Sequence, residues 1–266
     1  MLARALVIGV NAYPSAPLRG CVIDAGRADT VMERALGFTR PNEVSIRLMC
    51  DDRATRKHIM ERGKWLADAD VGILFQSGHG TRTADRNGDE SDGLDEAFCP
   101  FDFAWGDRDT WMFDDDYAEI FAANPEGRFY LISDSCHSGD LAKGVRQGAF
   151  LGRAKTLPLP LDIAHQNRQV ESTELPLRRL VSTLPDNVLA ISACRSDQVA
   201  MDGNPEGEGG AFSWAFWSLV RSKPERPVID LIASVNSILY GAGYTQEANA
   251  SGHIEWLTEP LPKIGE

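Results

Sequence analysis

The chain has 266 residues, 43% hydrophobic and 25% charged, a balance that suits one large α/β domain or two small ones. No stretch approaches the ~20 apolar residues needed to span a bilayer, so no membrane partner is expected. The net charge of −12 is concentrated, because twelve acidic and two basic residues between Asp85 and Asp116 supply −10 of it. Such a field repels nucleic acid and attracts cations, whether metal ions or basic peptide segments.

In chain order, short aliphatic runs at Ala5–Val10, Val44–Met49, Val71–Phe75, Arg128–Ile132 and Asn187–Ser192 read as strands. Helical patterns fall at about Ala25–Leu36, Thr55–Ala67, Asp115–Ala123, Ala211–Val220 and Pro227–Leu239. Thr55 has the side chain of an N-cap, as do Asp114 and Asp115 before the third helix. This alternation predicts an α/β fold with a mostly parallel central sheet, sandwiched by helices on both faces. The first strand starts without a basic leader and apolar signal core, so export is not expected. Five cysteines at 21, 50, 99, 136 and 194 have no paired spacing, which argues against a disulfide framework or zinc site and fits a reducing cytoplasm.

Leu141 to Pro185 breaks the alternation, with four prolines and little periodicity. It holds Lys143, Arg146, Arg153, Lys155, Arg168, Arg178 and Arg179. A stretch of this length reads as a solvated loop or as a cleavable linker between a large segment, 1–140, and a small one, 186–266.

Two patches carry chemistry. Ser77-Gly78-His79-Gly80 and Asp134-Ser135-Cys136-His137-Ser138-Gly139 each follow an apolar strand, the place where ligand sites form in open α/β sheets. A thiol beside an imidazole forms a thiolate–imidazolium pair that attacks a carbonyl, and the imidazolium then protonates the leaving amine. Cys136 is the candidate nucleophile. His79 is the candidate base, because His137, adjacent to Cys136, points to the other side of an extended chain. The amides of Gly80 and Cys136 are candidate oxyanion donors. His58, His165 and His253 have no such context. Asp134 lies on the same side as Cys136 if the strand continues.

These patches resemble the caspase-like cysteine peptidases, specifically their metacaspase branch. The histidine stands 57 residues before the cysteine, near the caspase spacing of about 50. The likeness extends to Leu18–Ala25, Gly88–Glu96, Asp114–Asp116, Ile191–Gln198 and Gly210–Phe216, in the family's order. The resemblance implies a caspase-hemoglobinase fold in one domain, a His79–Cys136 dyad, and cleavage after arginine or lysine held by Asp24 and Asp134. Two carboxylates suit a guanidinium or an ammonium on physical grounds as well. The family's calcium-binding aspartates fall on Asp95, Asp114 and Asp115, with Asp140 a further candidate. Independently, Asp85, Asn87, Asp89, Ser91 and Glu96 follow EF-hand ligand spacing, although Glu90 stands where that loop needs glycine. A calcium-stimulated endopeptidase acting as a monomer on protein or peptide substrates with a basic residue before the cut is therefore expected. The alternative is a non-catalytic regulatory or calcium-binding module on the same fold.

Overall fold

The computed structural model describes residues 1–38, 45–84, 94–136, 152–157, 159–171, 184–207 and 209–264. Its centre is a six-stranded sheet of β1 (Ala3–Gly9), β2 (Ile46–Cys50), β3 (Val71–Ser77), β7 (Arg128–Asp134), β9 (Val188–Ser192) and β11 (Asn249–Gly252). The spatial order is β11-β9-β7-β3-β1-β2. All pairings are parallel except β11 with β9 at the edge. Strands from both ends of the chain thus share one ladder, with β7 beside β9.

Period-2 alternation sends successive side chains to opposite faces. Ala5 and Val7 of β1, Ile73 and Phe75 of β3, Tyr130 and Ile132 of β7 join one core; Leu6, Ile8, Leu74, Phe129 and Leu131 join the other. The first core is covered by α1 (Cys21–Arg34), α5 (Ala211–Ser222) and α6 (Val228–Gly241), and the second by α2 (Arg56–Ala67) and α3 (Asp114–Ala122). The sheet is therefore covered on both faces, as the alternation of strands and helices predicts.

Several local expectations change. Thr55 does cap α2, accepting from the His58 amide. Neither Asp114 nor Asp115 caps α3; Phe113 holds that position, and Asp116 reaches back to accept its N–H at 2.9 Å. The α1 helix starts at Cys21, earlier than the pattern places it. The acidic region and the residues just before it supply a small antiparallel sheet of β4 (Gly80–Ala84), β5 (Leu94–Phe98) and β6 (Met112–Phe113). The stretch read as a loop or linker, Leu141 to Pro185, contains β8 (Arg153–Ala154), which pairs with β10 (Met201–Asp202), and α4 (Leu161–Glu171). Its apolar residues Leu157, Leu159, Ile163 and Ala164 are too irregularly spaced to register as a helix or strand before packing selects them.

Polar side chains tie the carboxyl ends of β3 and β7 to α3. Tyr117 donates to Gln76 Oε1 at 2.5 Å, Gln76 Nε2 donates to Ser133 Oγ at 3.1 Å, and Ser133 shares a hydrogen bond with Ser135 at 2.8 Å. All four are buried. Replacing Gln76 with alanine strands the Tyr117 hydroxyl without water. We expect Gln76→Ala to lower unfolding stability by about 1–3 kcal/mol in urea titrations.

Candidate active site

The site forms where β3 and β7 end side by side. Seven in-register pairs run from Val71↔Arg128 to Ser77↔Asp134. His79 and Cys136 each stand two residues beyond the last pair, so they leave the sheet at one edge and one level. The Gly78 amide carries the pairing one step further, donating to the Asp134 carbonyl at 3.4 Å. Asp134 and Cys136 continue the alternation of Tyr130 and Ile132, and Cys136 belongs to the core on the α1/α5 face.

His79 is fixed through its backbone and its ring. Its N–H donates to the Tyr13 hydroxyl at 3.0 Å, and its carbonyl accepts from the Cys99 amide at 2.9 Å. The Tyr13 ring lies 4.5 Å from the imidazole, centroid to centroid. On the ring, Nε2 contacts the Ala16 carbonyl at 2.7 Å. A carbonyl only accepts, so Nε2 carries the proton and Nδ1 of the neutral ring keeps its lone pair. Among the described residues that Nδ1 is buried and has no hydrogen-bond partner. Burial pushes the imidazole pKa down to about 4, against the opposing pull of the Ala16 and Lys155 carbonyls. Tyr13 was not singled out by the sequence, since a tyrosine between an alanine and a proline has no motif to mark it.

The acidic hollow is assembled from three elements. Asp24 comes from α1, Asp134 from the end of β7, and the amino end of α5 closes over both. The Gly210 N–H donates to both Asp24 oxygens, at 2.8 and 3.0 Å. Ser213 donates to Asp134 Oδ2 through its hydroxyl at 2.5 Å and its amide at 3.2 Å. The positive end of the α5 dipole favours both carboxylates. Arg27 adds a more distant charge, 3.6 Å from Asp24. Upstream, Asp202 accepts the Arg19 and Gly20 amides at 2.7 and 2.8 Å and so sets the entry into α1.

A lysine of the chain fills this hollow. Lys155 is fully buried, and its Nζ lies 3.0 Å from Asp24 Oδ2, 3.0 Å from Asp134 Oδ2 and 2.9 Å from Ser77 Oγ. Three acceptors meet the three ammonium protons. Burial alone would lower the Lys155 pKa, but Asp134 and Asp24 more than offset it and hold it well above the ordinary value. Burial raises the Asp24 pKa, with the Lys155 ammonium pulling against it. Gly210 is required here for space, because a Cβ at that position would sit 2.3 Å from Lys155 Nζ and 2.6 Å from Asp134 Oδ2.

The Lys155 backbone is held as specifically as its side chain. Its carbonyl accepts from the Gly80 amide at 3.0 Å and from the Cys136 amide at 3.3 Å. The two candidate oxyanion donors thus converge on one oxygen. The Lys155 amide donates to the Ala200 carbonyl at 2.9 Å. With this segment in place, Cys136 is buried and His79 is 2% exposed.

The other sequence candidates are less gathered. Asp95 is buried in β5, and the pairing of Ala97 with Phe113 brings the start of α3, with Asp114 and Asp115, alongside that strand. Among the described residues, no three His, Cys, Asp or Glu side chains form a group that would hold a metal ion. Residues 85–93 of the EF-hand-like run, together with His137 and Asp140, lie outside the described residues. His58 and His253 bond to the backbone carbonyls of Arg53 and Asp186, away from the strand ends. Among the described residues no helix is long and apolar enough to cross a membrane.

A parallel sheet that brings a histidine and a cysteine to one edge, beside an acidic hollow, defines a caspase-fold cysteine peptidase. Residues 2–257 match the caspase domain, and the chain belongs to that family. Its curated relatives include metacaspase-1A of Aspergillus niger, 29% identical over 93% of this chain and 69% of that protein. Metacaspase-1B of Neosartorya fischeri is 30% identical, over 93% of this chain and 68% of its own length. A solved structure of a Geobacter sulfurreducens protein superposes with a TM-score of 0.70 at 21% identity, each chain covered completely, which shows the shared fold.

An imidazole held at about 4 rather than the ordinary 6.5 stabilises the fold at neutral pH. As pH falls through that window the unfolded chain takes up a proton that the folded chain refuses, and the contribution fades. We expect urea unfolding to show stability falling by up to about 3 kcal/mol between pH 7 and pH 4. That portion of the slope should be missing in His79→Gln.

Proposed function

We propose that the protein is an endopeptidase that cuts after lysine or arginine, with Cys136 as nucleophile and His79 as its base. The observation that carries this reading is Lys155, whose ammonium fills the Asp24–Asp134 hollow while its carbonyl oxygen takes the amides of Gly80 and Cys136. That is how a substrate residue would lie just before attack. Its carbonyl is polarised by two N–H groups, and the carbon is presented to the residue that supplies one of them. An oxyanion formed there would keep both donors, which bind it more strongly than a neutral carbonyl.

In this reading Nδ1 of His79 takes the Cys136 proton and then delivers it to the departing amine, leaving a thioester that water hydrolyses. The bond offered first is Lys155–Thr156, and the intact segment keeps other substrates out. Arginine is accepted too. Asp134 Oδ1 is buried with no hydrogen-bond partner among the described residues, so it is available to the extra donors of a guanidinium. All five cysteines are free, which suits a monomer working in a reducing compartment. Calcium stimulation is also part of the proposal, through the acidic region that includes Asp95, Asp114 and Asp115 and apart from the chemical step.

Fluorogenic peptide amides ending in lysine, arginine, glutamine or aspartate test the assignment. Only the basic pair should be cut. Cys136→Ala should abolish turnover, and His79→Ala should lower kcat by about 10²–10⁴-fold. Asp134→Ala should chiefly weaken recognition of the basic residue. Equal cleavage after glutamine would defeat the specificity, and turnover in Cys136→Ala would defeat the mechanism. A rate unchanged by a calcium chelator would remove calcium from the account.

A further inference from the structure

The segment around Lys155 is held on both sides of the bond proposed to be cut, but the two sides differ in how tightly they enclose side chains. Before Lys155, Arg153 and Ala154 pair antiparallel with Asp202 and Met201. Arg153 is exposed and stands on the wall of an open cleft of about 500 Å³ that also includes Arg19, Ile23 and Gly209. A side chain in that position faces water, and its identity matters little. After Lys155, Thr156 bridges to Gly80, and the Leu157 amide donates to the Gly80 carbonyl at 3.3 Å. Here the side chains are enclosed, with Thr156 at 5% and Leu157 at 4% exposed. Leu157 joins the apolar core that contains Tyr13, Leu18 and Phe98.

We infer that the cleft reads the substrate beyond the cut as well as before it, and that the second residue after the scissile bond must be apolar. The site is a hydrophobic pocket beside Gly80, and its ligand class is a peptide with lysine or arginine followed two residues later by an aliphatic side chain. The inference rests on the reading of Lys155 as the residue before the cut. Its physical cause is desolvation. A leucine there leaves water for an apolar wall, whereas a carboxylate would be buried without a partner. The backbone bonds to Gly80 are made by any residue, so they fix the register and leave the choice to the pocket.

The test uses the full chain and three probes. A coumarin amide ending in lysine has nothing peptidic beyond the cut and reports on the basic-residue reading alone. Two internally quenched peptides carry Arg-Ala-Lys-Thr-Leu and Arg-Ala-Lys-Thr-Asp. The leucine peptide should show a kcat/KM about 10- to 100-fold above the aspartate peptide, the range that enclosing one such side chain supplies. Within the chain, Leu157→Asp should slow cleavage at Lys155–Thr156 by a similar factor, and Leu157→Met should restore it. If the amide is cut and the two peptides are cut equally, the pocket plays no part and the inference fails while the basic-residue reading stands. If neither the amide nor either peptide is cut, both fail.

Discussion

Parallel pairing in register constrains where side chains emerge, and the candidate site follows from that constraint. Ser77 and Asp134 are the last paired residues of β3 and β7, and His79, Gly80 and Cys136 lie within three residues beyond them. A slip of one rung would turn Asp134 away from the α1/α5 face and carry Cys136 with it. The buried links among Gln76, Ser133, Ser135 and Tyr117 lie just inside this edge, and they oppose such a slip. Register, more than any single contact, decides whether sulfur and imidazole share an edge.

Three buried charges occupy the hollow, and burial disfavours each of them separately. They coexist because partners are arranged around them: three acceptors on the ammonium, Gly210 on Asp24, and Ser213 on Asp134 Oδ2. The glycine at 210 lets the α5 backbone come close enough to serve as one of these donors. The same glycine keeps the hollow just wide enough for a side-chain ammonium. Packing and electrostatics therefore make one demand on that position.

Much of the framework was legible in the sequence because aliphatic runs and amphipathic helices obey local periodicity. The strand-end positions of His79 and Cys136 followed from motif and alternation, and the pairing of Asp24 with Asp134 came from the family resemblance. Lys155 was visible only as one basic residue among seven in a proline-rich stretch. A buried lysine cannot be told from a solvated one without knowing which carboxylates face it. One signal was present: Lys155-Thr156-Leu157 precedes Pro158-Leu159-Pro160, an apolar and stiff run unlike a solvated loop. Ser77 and Ser213 lie inside the motifs Ser77–Gly80 and Gly210–Phe216, but a hydroxyl acquires a role only when its partner across the fold is known. The strand β5 was hidden because Asp95 and Glu96 interrupt its short apolar pattern.

The hollow behaves differently once its lysine has gone. Burial already raises the Asp24 pKa with an ammonium beside it, and Asp134 adds to that rise. Withdrawing the cation leaves two carboxylates facing each other in a dry recess, and one of them then holds a proton far more readily. If the hollow receives a substrate's basic side chain, as proposed, hydronium becomes a competitor for that seat, and entry of lysine or arginine must expel it. Mild acid would blunt recognition while the sulfur chemistry was still intact, a consequence of placing two like charges at so small a distance from water's exclusion.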